Sequence, residues 1–132
     1  AHWGARAVVD RGRGFNSYLV HAERSRVLLA GDTAATDAFD ALGGVDLAVF
    51  GIGAYDPWIH AHATPEEVWA MFHRLGGRWL MPMHHSTFQL GDEPPEDPMR
   101  RLLATAGDPA TPGDSAAVLQ VRPGEPWLAP RD

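Results

Sequence analysis

Apolar positions along this chain follow two different periods. Asn16–Ala22 (NSYLVHA) and Arg26–Ala30 (RVLLA) are short runs rich in strand formers, and the Glu-Arg-Ser between them predicts a β-hairpin. Ala35, Ala38, Phe39 and Leu42 then recur at helical spacing before Gly43-Gly44, which predicts a helix over 34–42. Asp46–Phe50 (DLAVF) is apolar without alternation, the pattern of a strand covered on both faces. The strongest helix signal is Pro65–Leu75. Thr64 stands at the N-cap, Pro65 at N1 and Glu67 at N3, which completes a capping box. Val68, Met71, Phe72 and Leu75 form its apolar stripe, and Gly76-Gly77 ends it. Arg78–Met83 reads as the next strand. Asp97 as cap and Pro98 at N1 open another helix, with Met99, Leu102, Leu103 and Ala106 inward and Gly107 as terminator. Ala116–Val121 reads as a last strand. Strands alternating with helices predict an α/β layered fold.

Composition narrows the classes. A length of 132 residues suits one compact domain, and 45% hydrophobic content is that of a globular chain. The net charge is -6, and the 11 basic residues, all arginine, form no stripe, so no nucleic-acid binding patch is expected. There is no cysteine, which excludes disulfides, thiolate metal sites and cysteine nucleophiles. No apolar run approaches the roughly 20 residues needed to cross a bilayer, so no transmembrane segment is expected. No signal peptide is visible, and the expected location is cytoplasmic.

The candidate chemistry sits just past the short strands. Asp32 follows one in LLAGDT, His84 follows another in LMPMHH, and His2 stands in AHWGAR. Aspartate and histidine together suit Zn, Mn or Fe, and a carboxylate can bridge two ions. His84 and His85 are adjacent at a strand end, where neighbouring side chains face opposite ways, so they cannot easily share one task. An aspartate after glycine also suits a turn, and Asp32 or Thr33 is equally placed to cap a helix at 34–42.

Taken in order, AHWGAR, LLAGDT, VFGIGAY, HATPEEV and MPMHHSTFQLGDEP resemble the second half of a metallo-β-lactamase-fold hydrolase. The branch they most resemble contains the N-acyl-phosphatidylethanolamine-hydrolysing phospholipase D and the ascorbate-6-phosphate lactonase-like proteins. The resemblance runs to about Leu103. It implies half of an αβ/βα sandwich, a mixed sheet with helices packed on it, and two divalent metal ions in the complete protein, Zn first with Mn or Fe as alternatives. It implies that His2 is a terminal ligand of the first metal, that Asp32 bridges both and that His84 ligates the second, leaving His85 on the other face. It places His62 in the substrate pocket near the metals, with a catalytic part in stabilising the oxyanion or contacting the leaving group. Asp32 would also orient the attacking water or relay its proton. His62 is equally readable as a residue flanking the Thr64 cap, and His60 competes with it. Tyr55, in YDPWIHAH, is a candidate substrate-binding aromatic, although Tyr55 and Trp58 also suit packing.

One departure from the family pattern shapes the expectation. His-x-His-x-Asp-His, which supplies most family ligands, is absent from the 132 residues. The chain is therefore expected to be the C-terminal half of the fold, with an incomplete metal site. Its expected partner is the missing N-terminal half or a second copy of the chain. The functional expectation is part of a binuclear metal-dependent hydrolase acting on a phosphodiester, lactone or other ester, inactive alone. The alternative is a non-catalytic half-domain that works through self-association or partner binding.

Overall fold

A computed structural model describes residues 16–111, 113–122 and 124–130. The strands are β1 (Tyr18–Ala22), β2 (Ser25–Leu29), β3 (Val45–Gly51) and β4 (Gly77–Met83). The helices are α1 (Pro65–Leu75), between β3 and β4, and α2 (Asp97–Ala106), after β4. The strands form one mixed sheet in the order β1-β2-β3-β4. β1 and β2 are the expected antiparallel hairpin, and β2-β3 and β3-β4 are parallel pairs.

Side-chain alternation gives the sheet two unlike faces. Leu28, Ala48, Phe50 and Leu80 are at most 1% exposed and pack in one core with Val68, Met71, Phe72 and Leu75 of α1 and Leu102 and Ala106 of α2. The opposite face is also apolar. The register aligns Tyr18 with Leu29 and Val20 with Val27, then Val27 and Leu29 with Leu47 and Val49, and these with Trp79 and Met81. Here Tyr18, Val20 and Leu29 are 59%, 47% and 41% exposed, and the rest are half-buried. Trp127, in the C-terminal stretch, packs edge-on against Trp79. The unbroken apolarity of Asp46–Phe50 thus reflects one closed face and one half-open face, rather than two covered ones.

α1 forms as its sequence signals require. The Thr64 hydroxyl accepts from the Glu67 N–H, the Glu67 carboxylate accepts from the Thr64 N–H at 2.8 Å, and Gly76 ends the helix in the left-handed region. Glu66 of α1 and Arg101 of α2 join the helices through two hydrogen bonds. Arg101 also lies over the Tyr55 ring.

Three expected elements differ. Residues 34–42 hold only a 3-10 turn at Asp40–Leu42. Backbone groups here and at the preceding Thr33 are committed elsewhere. The Thr33 carbonyl accepts from the Ala63 N–H, the Thr36 carbonyl from Arg74, and the Thr36 hydroxyl from the Ala38 N–H. Such side-chain and tertiary bonds compete with the helical ladder. The capping alternative for Asp32 falls with that helix. Ala116–Val121 is not a strand: a 3-10 turn at Ser115–Ala117 leads into one bridge, Leu80 to Val118. Leu119 donates to the Leu80 carbonyl, and Pro82 has no N–H with which to extend that ladder. Asp97 is the first residue of α2 rather than its cap. Glu96 takes the cap position without a side-chain bond, while Asp97 accepts from the Tyr55 hydroxyl. Gly107 ends α2 in a right-handed conformation.

On the outer part of α1, His73 contacts Trp69 and Phe72, and its Nε2 is buried without a hydrogen-bond partner. Burial holds its pKa below the ordinary imidazole value. The unfolded chain therefore binds this proton more readily than the folded one. His73's contribution to stability is complete above the ordinary imidazole pKa and is lost as pH falls through that value towards the lowered folded one. Urea midpoints measured from pH 8 down to pH 5 should fall, and should fall less steeply in His73→Gln. A parallel decline in the variant would contradict the assignment.

Candidate metal centre

Three segments past the C-terminal ends of β2, β3 and β4 meet at one edge of the sheet. Gly31, just past β2, takes φ +69, a left-handed conformation that suits glycine, and the chain turns there to present Asp32. The Ser17 hydroxyl, donating to the Ala30 carbonyl at 2.7 Å, holds the approach to this turn. His62 lies on the long connection from β3 to α1. Its own N–H donates to the Trp58 carbonyl, and the next residue, Ala63, donates to the Thr33 carbonyl, one residue past Asp32. The capped start of α1 at Thr64 then fixes the exit of this connection. His84 follows β4 directly, with φ +63, unusual for a residue with a side chain.

The donor atoms of Asp32, His62 and His84 all lie within 4.8 Å of one another. His62 Nε2 is 3.9 Å from Asp32 Oδ2, and the two imidazoles stack with centroids 5.3 Å apart and planes 15° from parallel. His62 is 3% exposed, while Asp32 and His84 are half-buried. Burial lowers the His62 pKa, against the opposing pull of the Asp32 charge. A neutral imidazole keeps a lone pair for a cation or a proton.

Two imidazoles and a carboxylate are the donor types of zinc and other first-row metal sites, and three protein ligands with an open position is the usual composition of a catalytic zinc site. The residues present fit a divalent cation. Asp32, His62 and His84 would hold it, with His62 drawn into the ligand cluster in addition to the pocket position expected for it.

The other expected site residues are distributed as follows. His2 lies outside the described residues. His85 is not in the cluster, and its Nδ1 is 2.7 Å from the Ser86 hydroxyl. His60 is not in the cluster and meets Trp58 edge-on. Tyr55 is 7% exposed, and its hydroxyl donates to Asp97 at 2.5 Å. Its pKa is pushed up to about 12, first by burial and then by the Asp97 bond. Through this bond Tyr55 anchors the post-β3 loop to α2.

Sequence reasoning missed two residues in the loops beside the donor cluster. A Cβ on Gly53 would stand 2.1 Å from the His84 carbonyl oxygen, so only glycine allows the post-β3 loop to lie against His84. Glu93 is 9% exposed, and its carboxylate accepts the N–H groups of Ala54 and Asp56. The signals were present, in the glycines of GIGAY and the acidic residues of GDEP, but nothing local separates them from ordinary turn residues.

A family model described as the beta-lactamase superfamily domain matches residues 2–85, and the chain belongs to this family. Two uncharacterized mycobacterial proteins, Rv0906 of Mycobacterium tuberculosis and Mb0930 of Mycobacterium bovis, are each 36% identical to it over 89 residues. These matches cover 61% of this chain and 24% of each relative, so the chain spans about a quarter of the length of these relatives. Among solved structures, it resembles Igni18, a metallo hydrolase of the archaeon Ignicoccus hospitalis. The TM-score is 0.59 at 20% identity, covering 83% of this chain and 43% of that one. A candidate metal-dependent hydrolase from Parabacteroides distasonis gives a TM-score of 0.55 at 18% identity, over 79% of this chain and 39% of that one. A candidate Zn-dependent hydrolase of the metallo-beta-lactamase superfamily from Thermotoga maritima gives 0.52 at 20% identity, over 67% and 44%. These likenesses show the fold: the mixed four-stranded sheet with its helices is a metallo-β-lactamase α/β architecture, of the kind found in metal-dependent hydrolases. Among the described residues no helix is long and apolar enough to cross a membrane.

Proposed function

We propose that this chain is the C-terminal half of a binuclear metal-dependent hydrolase and supplies one side of its active site. The observation that carries the reading is the convergence of Asp32, His62 and His84 from three separate post-strand segments. Two divalent ions, when bound, would activate water and polarise the scissile phosphoryl or carbonyl group. Asp32 and His84 would hold the ions from this chain, and the motif resemblance adds His2 as a further ligand. His62, buried beside them, would either join the ligands or donate a hydrogen bond to the oxygen on which charge develops. The motif resemblance supports a phosphodiester or a lactone as substrate.

The domain reading rests on the half-open sheet face. Tyr18, Val20 and Leu29 are large apolar residues at 41–59% exposure on a face otherwise lined by half-buried apolar side chains. The rest of the sandwich packs there, bringing the His-x-His-x-Asp-His ligands to the centre. Apolar burial is worth about 25 cal/mol per Å², so the chain expressed alone should cover this face with a second copy. Sedimentation at micromolar concentration is expected to show a dimer or larger species, and a sharp monomer that unfolds cooperatively would contradict the domain reading.

Activity tests the functional reading. The full-length protein, supplied with Zn or Mn, should hydrolyse bis-aryl phosphodiesters or lactones, and the isolated 132-residue chain should not. Full-length protein that binds metal but hydrolyses neither class would overturn the substrate assignment. Metal-dependent turnover by the isolated chain would overturn the half-site reading.

A further inference from the structure

We propose that Glu93 is a positioning residue for the metal centre: its buried carboxylate latches the loop after β3 to the loop after β4 and so fixes His62 and His84 relative to each other. This rests on the metal reading above but concerns a residue outside the donor cluster.

The latch is built from both sides. One Glu93 oxygen accepts the Ala54 N–H and the other accepts the Asp56 N–H at 3.2 Å. Two inward-pointing backbone donors are thus satisfied by one side chain from 37 to 39 positions away. Around it the two loops interlock. The Asp92 N–H donates to the Asp56 carbonyl at 2.7 Å. A Cβ on Gly91 would lie 2.2 Å from Glu93 Oε2 and 2.6 Å from the Asp56 oxygen, so the chain passes there only as glycine. The Pro95 carbonyl accepts from the Ser86 N–H, folding the second loop back towards β4.

The consequence reaches the metal ligands through backbone. Ala54 takes φ +60, and the residue before it, Gly53, lies against the His84 carbonyl. His84 takes φ +63 and Ser86 φ +58. Three side-chain-bearing residues in the left-handed region mark two loops held in place by tertiary contacts rather than by local preference. His62 continues the first loop and His84 begins the second. The chemistry also selects the residue. A carboxylate is acceptor-only and can serve two N–H groups at once, whereas glutamine must turn its own NH₂ towards one of them.

The test compares Glu93→Gln and Glu93→Ala with wild type in the full-length protein, using Co(II) titration and the Co(II) absorption spectrum. Losing an outer-shell partner typically weakens metal affinity about 10- to 100-fold. A loss in that range with an altered spectrum is expected in Glu93→Ala, and a smaller change in Glu93→Gln. Glu66→Gln, which removes the charge and one acceptor from the α1–α2 pair with Arg101, controls for stability alone and should leave Co(II) binding unchanged. If Glu93→Ala does not fold, Glu93→Gln decides. Folded variants with wild-type affinity and spectrum would overturn the proposal. The imidazole NMR signals of metal-free protein provide a second measurement. Glu93→Gln should shift those of His62 and His84 and leave His73 in place. Wild-type protein that binds no Co(II) counts against the metal reading, and the NMR comparison then decides the positioning role: unchanged His62 and His84 signals would overturn it.

Discussion

Asp32→Ala is expected to abolish tight divalent-metal binding while leaving the fold intact. Within the described residues the Asp32 side chain meets His62 across 3.9 Å, and no backbone group depends on its carboxylate. Its removal takes the one carboxylate donor from a cluster whose other members are imidazoles. The loss in Zn affinity should exceed the roughly 10- to 100-fold typical of an outer-shell partner, because a ligand itself is removed. Stability of the metal-free protein should change by less than about 1 kcal/mol, as for other substitutions away from the core. Isothermal titration with Zn, paired with urea unfolding of metal-free protein, separates the two. Unchanged affinity would remove Asp32 from the site, and a large stability loss would make it a structural residue.

Gly53→Ala is expected to damage the centre from outside the ligand set. The added Cβ would stand 2.1 Å from the His84 carbonyl oxygen and 3.3 Å from its carbonyl carbon. Both are backbone atoms, so no rotamer change relieves the clash. Inserting one carbon into a packed site costs about 1–3 kcal/mol. Here the strain falls on a residue already at φ +63, so His84 should shift and Zn affinity should fall along with stability. Gly51→Ala is the matched control. Its Cβ would meet His84 Cβ at an ordinary 3.6 Å, and both properties should stay close to wild type. If Gly53→Ala also behaves as wild type, the tight approach of the post-β3 loop to His84 has no part in the site.

The parts of the fold legible in the sequence were those whose signals are local. The Thr64–Glu67 capping box, the 65–75 stripe and the β1–β2 hairpin each depend on residues within a few positions of one another, and they formed as expected. The 34–42 segment was misread because the Thr33 carbonyl just before it bonds Ala63 and the Thr36 carbonyl within it bonds Arg74, partners that no local window contains. The 116–121 segment was misread for a similar reason: whether it joins the sheet is decided by Pro82 on the neighbouring strand. The site divides in the same way. Asp32 and His84 stand out because each follows a recognisable strand, and His62 because of its place before the α1 cap. Glu93 and Gly53 act through contacts with distant backbone, which leaves no periodicity or motif in the residues beside them. Tyr55 was ambiguous because its partner, Asp97, stands on a helix further along the chain, outside any local window.

The central claim is that Asp32 and His84 ligate a divalent cation. Anomalous diffraction at the zinc edge, from crystals of the full-length protein grown with Zn, tests it most directly. The account predicts a zinc peak at about 2.0–2.2 Å from an Asp32 carboxylate oxygen and from a His84 imidazole nitrogen, with His62 beside it. Zinc bound elsewhere, with the Asp32 and His84 side chains both free of metal, would contradict it.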